Sequence, residues 1–145
     1  MALPKADFVL VNKSERKLYL LNQGRPIKSY HVALGDQPRG HKRREGDERT
    51  PEGRYQLDLK NEKSEFYKSI RISYPNRFDR MAAKTAGYSP GGAIMIHGLP
   101  NRKSEWPPRV RQAFNWTDGC IAVTNEEMDE IWAAVDVGTP IEILP

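Results

Sequence analysis

The sequence predicts a mainly β (α+β) fold, a β-sandwich-like or curled mixed sheet with a few flanking helices. Short runs rich in branched, leucine and aromatic residues follow one another at hairpin spacing through the first third of the chain. Near the end, Met128, Ile131, Trp132 and Val135 recur at i, i+3, i+4 and i+7, the stripe of a helix packed on a sheet. With 145 residues, of which 38% are hydrophobic and 29% charged, the chain is expected to form one domain, residues 1–145, able to bury a core without staples.

Asp7 to Val11 and Lys17 to Leu21 read as strands joined by the polar turn Asn12 to Arg16. Asn22 to Arg25 then turns the chain into a third strand, Ile27 to Leu34. From Gly35 to Thr50 the sequence is charged and glycine-rich with no apolar period, and a loop this long is expected to be a mobile flap near a site. Gly53 to Leu59 resumes as a strand, Asn61 to Glu65 is a polar turn, and Tyr67 to Tyr74 is a further strand ended by Pro75. Asn76 to Ala86 suits a helix whose inward face would be Phe78, Met81, Ala82 and Thr85. Gly91 to Gly98 is an apolar run that reads as a buried strand delivering His97 to its exit. Leu99 to Trp116, with three prolines and three aromatics, should wall a cleft and hold a short helix around Arg109 to Phe114. Thr124 and Glu127 form a capping box, so a helix starts there, with Trp132 on its core side. Thr139 to Leu144 is the last strand.

Composition excludes several functions. One cysteine permits no intramolecular disulfide. No apolar run approaches the ~18 residues of a membrane span, and Met1 to Pro4 lacks the basic and apolar parts of a signal peptide. Action outside the cytoplasm would therefore need a leader already removed or another export route. A net charge of +4 and a pI of 9.2 favour polyanionic partners: nucleic acid, anionic membrane or bacterial wall. The densest basic run, Arg39 to Arg44, is followed by Glu45, Asp47 and Glu48 and reads as a solvated loop. No helix-turn-helix, zinc or RNP-like pattern accompanies it, so no nucleic-acid partner is expected.

The chemistry concentrates in Asn115 to Asn125, which holds the lone Cys120. A thiol needs exposure and an electropositive setting to react, and here Asp118-Gly119 favours a tight turn while a helix starts just beyond. A lone cysteine is more often a small buried hydrophobe, and a lone histidine at a strand end is more often core. His97 is nevertheless the imidazole placed to take a thiol proton, with Gly98 leaving room for substrate.

Taken together these residues resemble the L,D-transpeptidase (YkuD-type) catalytic domain of bacterial cell-wall enzymes. His97-Gly98, then Thr117-Asp118-Gly119-Cys120-Ile121, with Asn125 opening the next helix, match its signature in order. Thr50-Pro51-Glu52-Gly53-Arg54-Tyr55 and Gly138-Thr139-Pro140-Ile141 are similar to two further elements. Two positions depart: Asp118 stands for the family's usual histidine and Ala122 for its common arginine, a wording similar to a Gram-negative branch. Asp118 is expected to point away from the thiol or to pair with Arg109 or Arg111.

The resemblance implies a fold of L,D-transpeptidase catalytic-domain type. It implies that Cys120 is the nucleophile and His97 the base within hydrogen-bond reach, and that the Gly98 carbonyl orients the imidazole. Amides of Asp118, Gly119 and Cys120 would form the oxyanion hole, with Thr117 and Asn125 completing the oxyanion and substrate-binding set. No metal or cofactor is implied. The substrate would be peptidoglycan stem peptides in the periplasm or cell envelope. Transfer to an amine is the leading reading; hydrolysis that trims stems or releases a wall-attached lipoprotein is the second, and a non-catalytic basic wall-binding module the third.

Overall fold

The computed structural model describes residues 3–106 and 115–145. Eight strands form one sheet: β1 (Phe8–Asn12), β2 (Lys17–Asn22), β3 (Arg25–His31), β4 (Gly53–Asn61), β5 (Ser69–Ile72), β6 (Met95–His97), β7 (Ile121–Ala122) and β8 (Thr139–Leu144). Their order is β3-β2-β1-β8-β4-β5-β6-β7, and two helices, α1 (Arg77–Ala86) and α2 (Asn125–Ala134), flank it. The expected mainly β, curled mixed sheet is thus the observed one. It is mixed because β1 pairs β8 and β6 pairs β7 in parallel, while the remaining neighbours are antiparallel.

Period-two burial drives the sheet. Val9 faces Leu20 and Ile141 across the ladders, and Val11 faces Leu18 and Ile143, all fully or almost fully buried. On α2, Met128, Ile131 and Val135 are completely buried in the same core, as the stripe predicts. Trp132 is a correction in degree: it lies half-buried at the core margin, with the Lys60 and Lys68 ammonium groups 4.9 Å and 5.6 Å from its ring centre. Thr124 caps α2 through the expected box, its hydroxyl accepting from Glu127 N–H while the Glu127 carboxylate accepts from Thr124 N–H.

What brings the site together is the curl. Beyond β3 the chain reaches the opposite edge of the sheet, where Ala33 and Ala122 exchange two backbone hydrogen bonds of 2.9 Å and Thr117 N–H donates to Leu34 O. The two ends of the sheet thereby meet around the cysteine turn.

Several expectations are corrected. The third strand stops at His31, and β5 and β6 are shorter than the runs that announce them, because their flanks leave the ladder for turns. α1 inverts the predicted face: Phe78 is 73% and Met81 58% exposed, and the helix docks instead through Ala83 and the carboxylate of Asp79. That carboxylate accepts hydrogen bonds from His41 Nε2 and Tyr55 Oη and closes a capping box with Asn76, so a polar anchor sets the orientation. The 35–50 segment is not a loose flap but a pinned loop. Asp47 takes amide hydrogen bonds from Arg43, Arg44 and Arg49 and pairs with Lys42. The buried Lys13 ammonium donates to Gly40 O and Thr50 O and pairs with Glu52 at 3.1 Å. The helix expected around Arg109 to Phe114 lies outside the described residues, as do Arg109 and Arg111 as partners for Asp118.

Candidate active site

β6 and β7 pair in parallel with Ile96 beside Ile121 and His97 beside Ala122. Cys120, two residues before Ala122, therefore shares the face of His97, one step along the neighbouring chain. Both line a cleft of about 380 Å³ with Phe66, Ala93, Trp116 and Asp118. A second cleft of about 360 Å³, lined by Lys42, Glu45, Glu48 and Gly91, shares Gly92 and Asp118 with it. The pinned loop thus forms one wall. A separate cleft around Lys13 and Arg39 holds neither thiol nor imidazole, and its lysine is committed to the loop.

The imidazole of His97 is 1% exposed. Its Nδ1 lies 2.7 Å from Gly98 O, and since a carbonyl only accepts, Nδ1 carries the hydrogen and Nε2 keeps its lone pair. The Phe66 ring stacks on it at 3.9 Å and 17°, and Trp116 approaches edge-on at 6.0 Å. Burial pushes the imidazole down to about 4, against a smaller opposing effect of the Gly98 hydrogen bond, so it is neutral at physiological pH. Phe66 was missed by sequence reasoning, falling between the polar turn Asn61 to Glu65 and the strand expected from Tyr67. Trp116, at the end of the segment expected to wall the cleft, lines it, while Trp106 fastens that segment by donating to Pro100 O at 2.7 Å.

Cys120 is half-buried and its thiol donates to Ala93 O at 3.3 Å, not to His97, which corrects the expected direct hydrogen bond. Ala93 holds a left-handed φ of 56°, a conformation that costs a non-glycine residue and turns its carbonyl on the sulfur. Burial pushes the thiol up to about 11, with Asp118 adding to the rise while the Met95 amide and Lys42 oppose it. At rest the pair is neutral thiol and neutral imidazole, not thiolate and imidazolium.

The turn before the cysteine is built by Thr117. This buried hydroxyl donates to Cys120 O at 2.7 Å and accepts from Gly119 N–H at 3.1 Å. Gly119 sits at φ 130° with Arg49 O 2.7 Å from where a Cβ would stand, so no other residue fits. Its amide is occupied, which removes it from the expected oxyanion hole; among the described residues the amides of Asp118 and Cys120 have no such partner. Thr117 lines the cleft, but its hydroxyl is committed to the turn. Asn125 lies behind the histidine: its Oδ1 accepts from Leu99 N–H at 2.9 Å and occupies the space a Cβ on Gly98 would need. Ala122 is fully buried in the closing ladder, so the cleft has no cationic side chain from that position. Among the described residues no cluster of His, Cys, Asp or Glu could hold a metal ion.

A thiol and an oriented neutral imidazole thus line one cleft on a curled mixed sheet. The chain belongs to the family of the YkuD L,D-transpeptidase catalytic domain, whose model matches residues 6–143. It is 32% identical over 134 residues to YafK of Escherichia coli (strain K12), covering 88% of this chain and 46% of YafK, and so spans just under half of that relative. Its fold matches the helical cell shape determining protein Pgp2 of Campylobacter jejuni with a TM-score of 0.70 and 27% identity, over 98% of this chain and 50% of Pgp2. It also matches an L,D-transpeptidase of Xylanimonas cellulosilytica DSM 15894 with a TM-score of 0.63 and 15% identity, over 97% and 61% of the two chains, a likeness of fold alone.

Proposed function

We propose that this chain is a cysteine-dependent acyl-transfer enzyme acting on peptidoglycan stem peptides in the periplasm or cell envelope, with Cys120 as nucleophile and His97 as base. The observation that carries this reading is the common cleft in which Nδ1 is tied to Gly98 O, leaving Nε2 to receive a proton beside the thiol.

As the sulfur attacks the carbonyl carbon of the diamino acid at stem position three, its proton passes to Nε2. The new oxyanion meets the amides of Asp118 and Cys120. Collapse breaks the bond to the following D-amino acid, whose nitrogen takes the proton from the imidazolium, and a thioester remains. An acceptor amine then attacks the thioester, yields a proton to His97 and restores the thiol. With the thiol pushed up and the imidazole pushed down, proton transfer is favourable only while charge develops on the oxyanion, so deprotonation and attack run together.

Water in place of the amine would make the protein an L,D-carboxypeptidase or an amidase that frees a wall-attached lipoprotein. The exposed Asp118 at the cleft and the lack of a cationic side chain at the buried Ala122 favour keeping that second reading. Incubation with purified peptidoglycan fragments, read by mass spectrometry, separates them: dimers mean transfer, shortened or released stems mean hydrolysis. Cys120→Ala should abolish both, and turnover persisting in that variant refutes the thiol mechanism altogether.

A further inference from the structure

α1 turns its amphipathic stripe outward. Phe78 and Met81 stand exposed side by side at i and i+3, and Arg77, Arg80 and Lys84 run along the same exposed side of the helix. The Arg77 guanidinium lies 5.8 Å from the Phe78 ring centre, and Arg80 reaches Pro75 O at 2.8 Å. The helix's one acid, Asp79, points inward to His41 and Tyr55. The pinned loop widens the patch: His41 packs on Asp79, and beside it Arg43 and Arg44 are exposed, Arg44 lying 5.2 Å from the ring of Tyr88 just past the helix. Glu45, the next residue, packs its Cα and Cβ against Gly91 and lines the second cleft.

From this we propose that the exposed face of α1 docks peripherally on an anionic lipid surface, with Phe78 and Met81 entering the headgroup boundary and the arginines and Lys84 meeting lipid phosphates. Charge complementarity selects the occupant: five cations, Arg43, Arg44, Arg77, Arg80 and Lys84, against one neighbouring exposed acid, Glu45, favour an anionic partner. The apolar pair stands exposed among the cations, an arrangement that suits the boundary of a bilayer. A nucleic-acid duplex would use the cations but, with its bases stacked inside, offers little to a phenylalanine and a methionine. Among the described residues no helix is long and apolar enough to cross a membrane, so the contact is a surface one. α1 and the cleft wall at Gly92 and Ala93 belong to the same connection between β5 and β6, so docking would hold the cleft close to the membrane.

Co-sedimentation of the full chain with vesicles of phosphatidylglycerol and phosphatidylcholine, at about 50 mM salt, tests this. Binding should fall at least about tenfold on pure phosphatidylcholine and about tenfold in Phe78→Ser/Met81→Ser. Arg77→Gln/Arg80→Gln should lose roughly 25-fold, about fivefold for each cation near an anionic surface. All four side chains are exposed, so melting temperatures should stay within ~2 °C of the parent. Arg25→Gln/Lys28→Gln on β3 should bind nearly as the parent does. No sedimentation with anionic vesicles, parent-like binding in the Phe78/Met81 variant, or equal losses in the β3 variant would overturn the proposal. Retention on immobilised polyglutamate without vesicle binding would assign the face to an acidic protein partner and overturn it equally.

Discussion

Three contacts act on one proton at His97. The Gly98 carbonyl fixes it on Nδ1, while Phe66 stacked on one face and Trp116 at the edge keep water from stabilising a second. Asp118 at the cleft and Lys42 in the second cleft act on the sulfur with opposite sign, and the Glu65 carboxylate belongs to a residue that lines the same cleft as the pair. A group held below its ordinary value favours the folded state above that value and loses the contribution as pH falls, so the His97 share fades from about 6.5 down to about 4. The Cys120 share runs the other way, complete below 9 and lost as pH rises to about 11. For activity, a base must be neutral, and the acid limb of the kcat/KM profile should lie near 4. Phe66→Ala opens the ring to water and should move that limb up by ~1–2 units toward the ordinary histidine value, with kcat at pH 8 falling less than tenfold. His97→Ala should lose ~10²–10⁴-fold and show no acid limb. A Phe66 variant whose limb stays at the parent's pH would mean that the stack positions the ring without tuning it.

At the scale of elements, the corner His97-Gly98-Leu99 depends on the first residue of α2. Asn125→Ala leaves the Leu99 amide without its acceptor and a void under Gly98, a loss of ~1–3 kcal/mol, and should slow acylation of Cys120 about tenfold by loosening the imidazole. Asn125→Asp keeps the acceptor oxygen and should recover most of the rate; a variant no better than alanine would show that the amide nitrogen matters more than the structure indicates. This arrangement also marks what the sequence discloses. The α2 cap and stripe were legible because every signal lies within one or two turns of helix. The strand that presents His97 was legible as an apolar run. Phe66, in contrast, meets His97 only through the β5–β6 pairing and the chain turn before it, and no local pattern announces such a contact. α1 shows a different limit. Periodicity correctly places Phe78 and Met81 on one side of a helix, but which side faces in is decided by Asp79, whose partners His41 and Tyr55 are remote in sequence.

The whole molecule is held in its curled shape by contacts that join distant segments, and Lys13 is the clearest of them. Its side chain is 3% exposed, and burial lowers its affinity for a proton while Glu52 opposes that shift, so the ammonium stays charged because it is paired and hydrogen-bonded. From the end of the first hairpin it reaches Gly40 O, Thr50 O and Glu52, tying down both ends of the loop whose Arg49 carbonyl packs on Gly119 and whose Glu45 packs on Gly91. The sequence placed this lysine in a solvated turn, since nothing within the hairpin shows that a loop returns over it. Lys13→Met keeps the stem's volume but leaves the Glu52 carboxylate and two carbonyls without a donor, a loss of ~3–5 kcal/mol or a fall in Tm on the order of 10 °C. Adding Glu52→Gln removes the stranded charge and should restore part of it. Because the same loop walls the cleft, Lys13→Met should also raise KM for peptidoglycan fragments severalfold, although the residue touches neither cleft residue nor substrate. Thermal melting and steady-state kinetics on the single and double variants check both effects. A Tm within ~2 °C of the parent would show that the loop is held by Asp47 and its three amides alone, and a double variant less stable than the single would show that Glu52 stabilises the loop without the lysine.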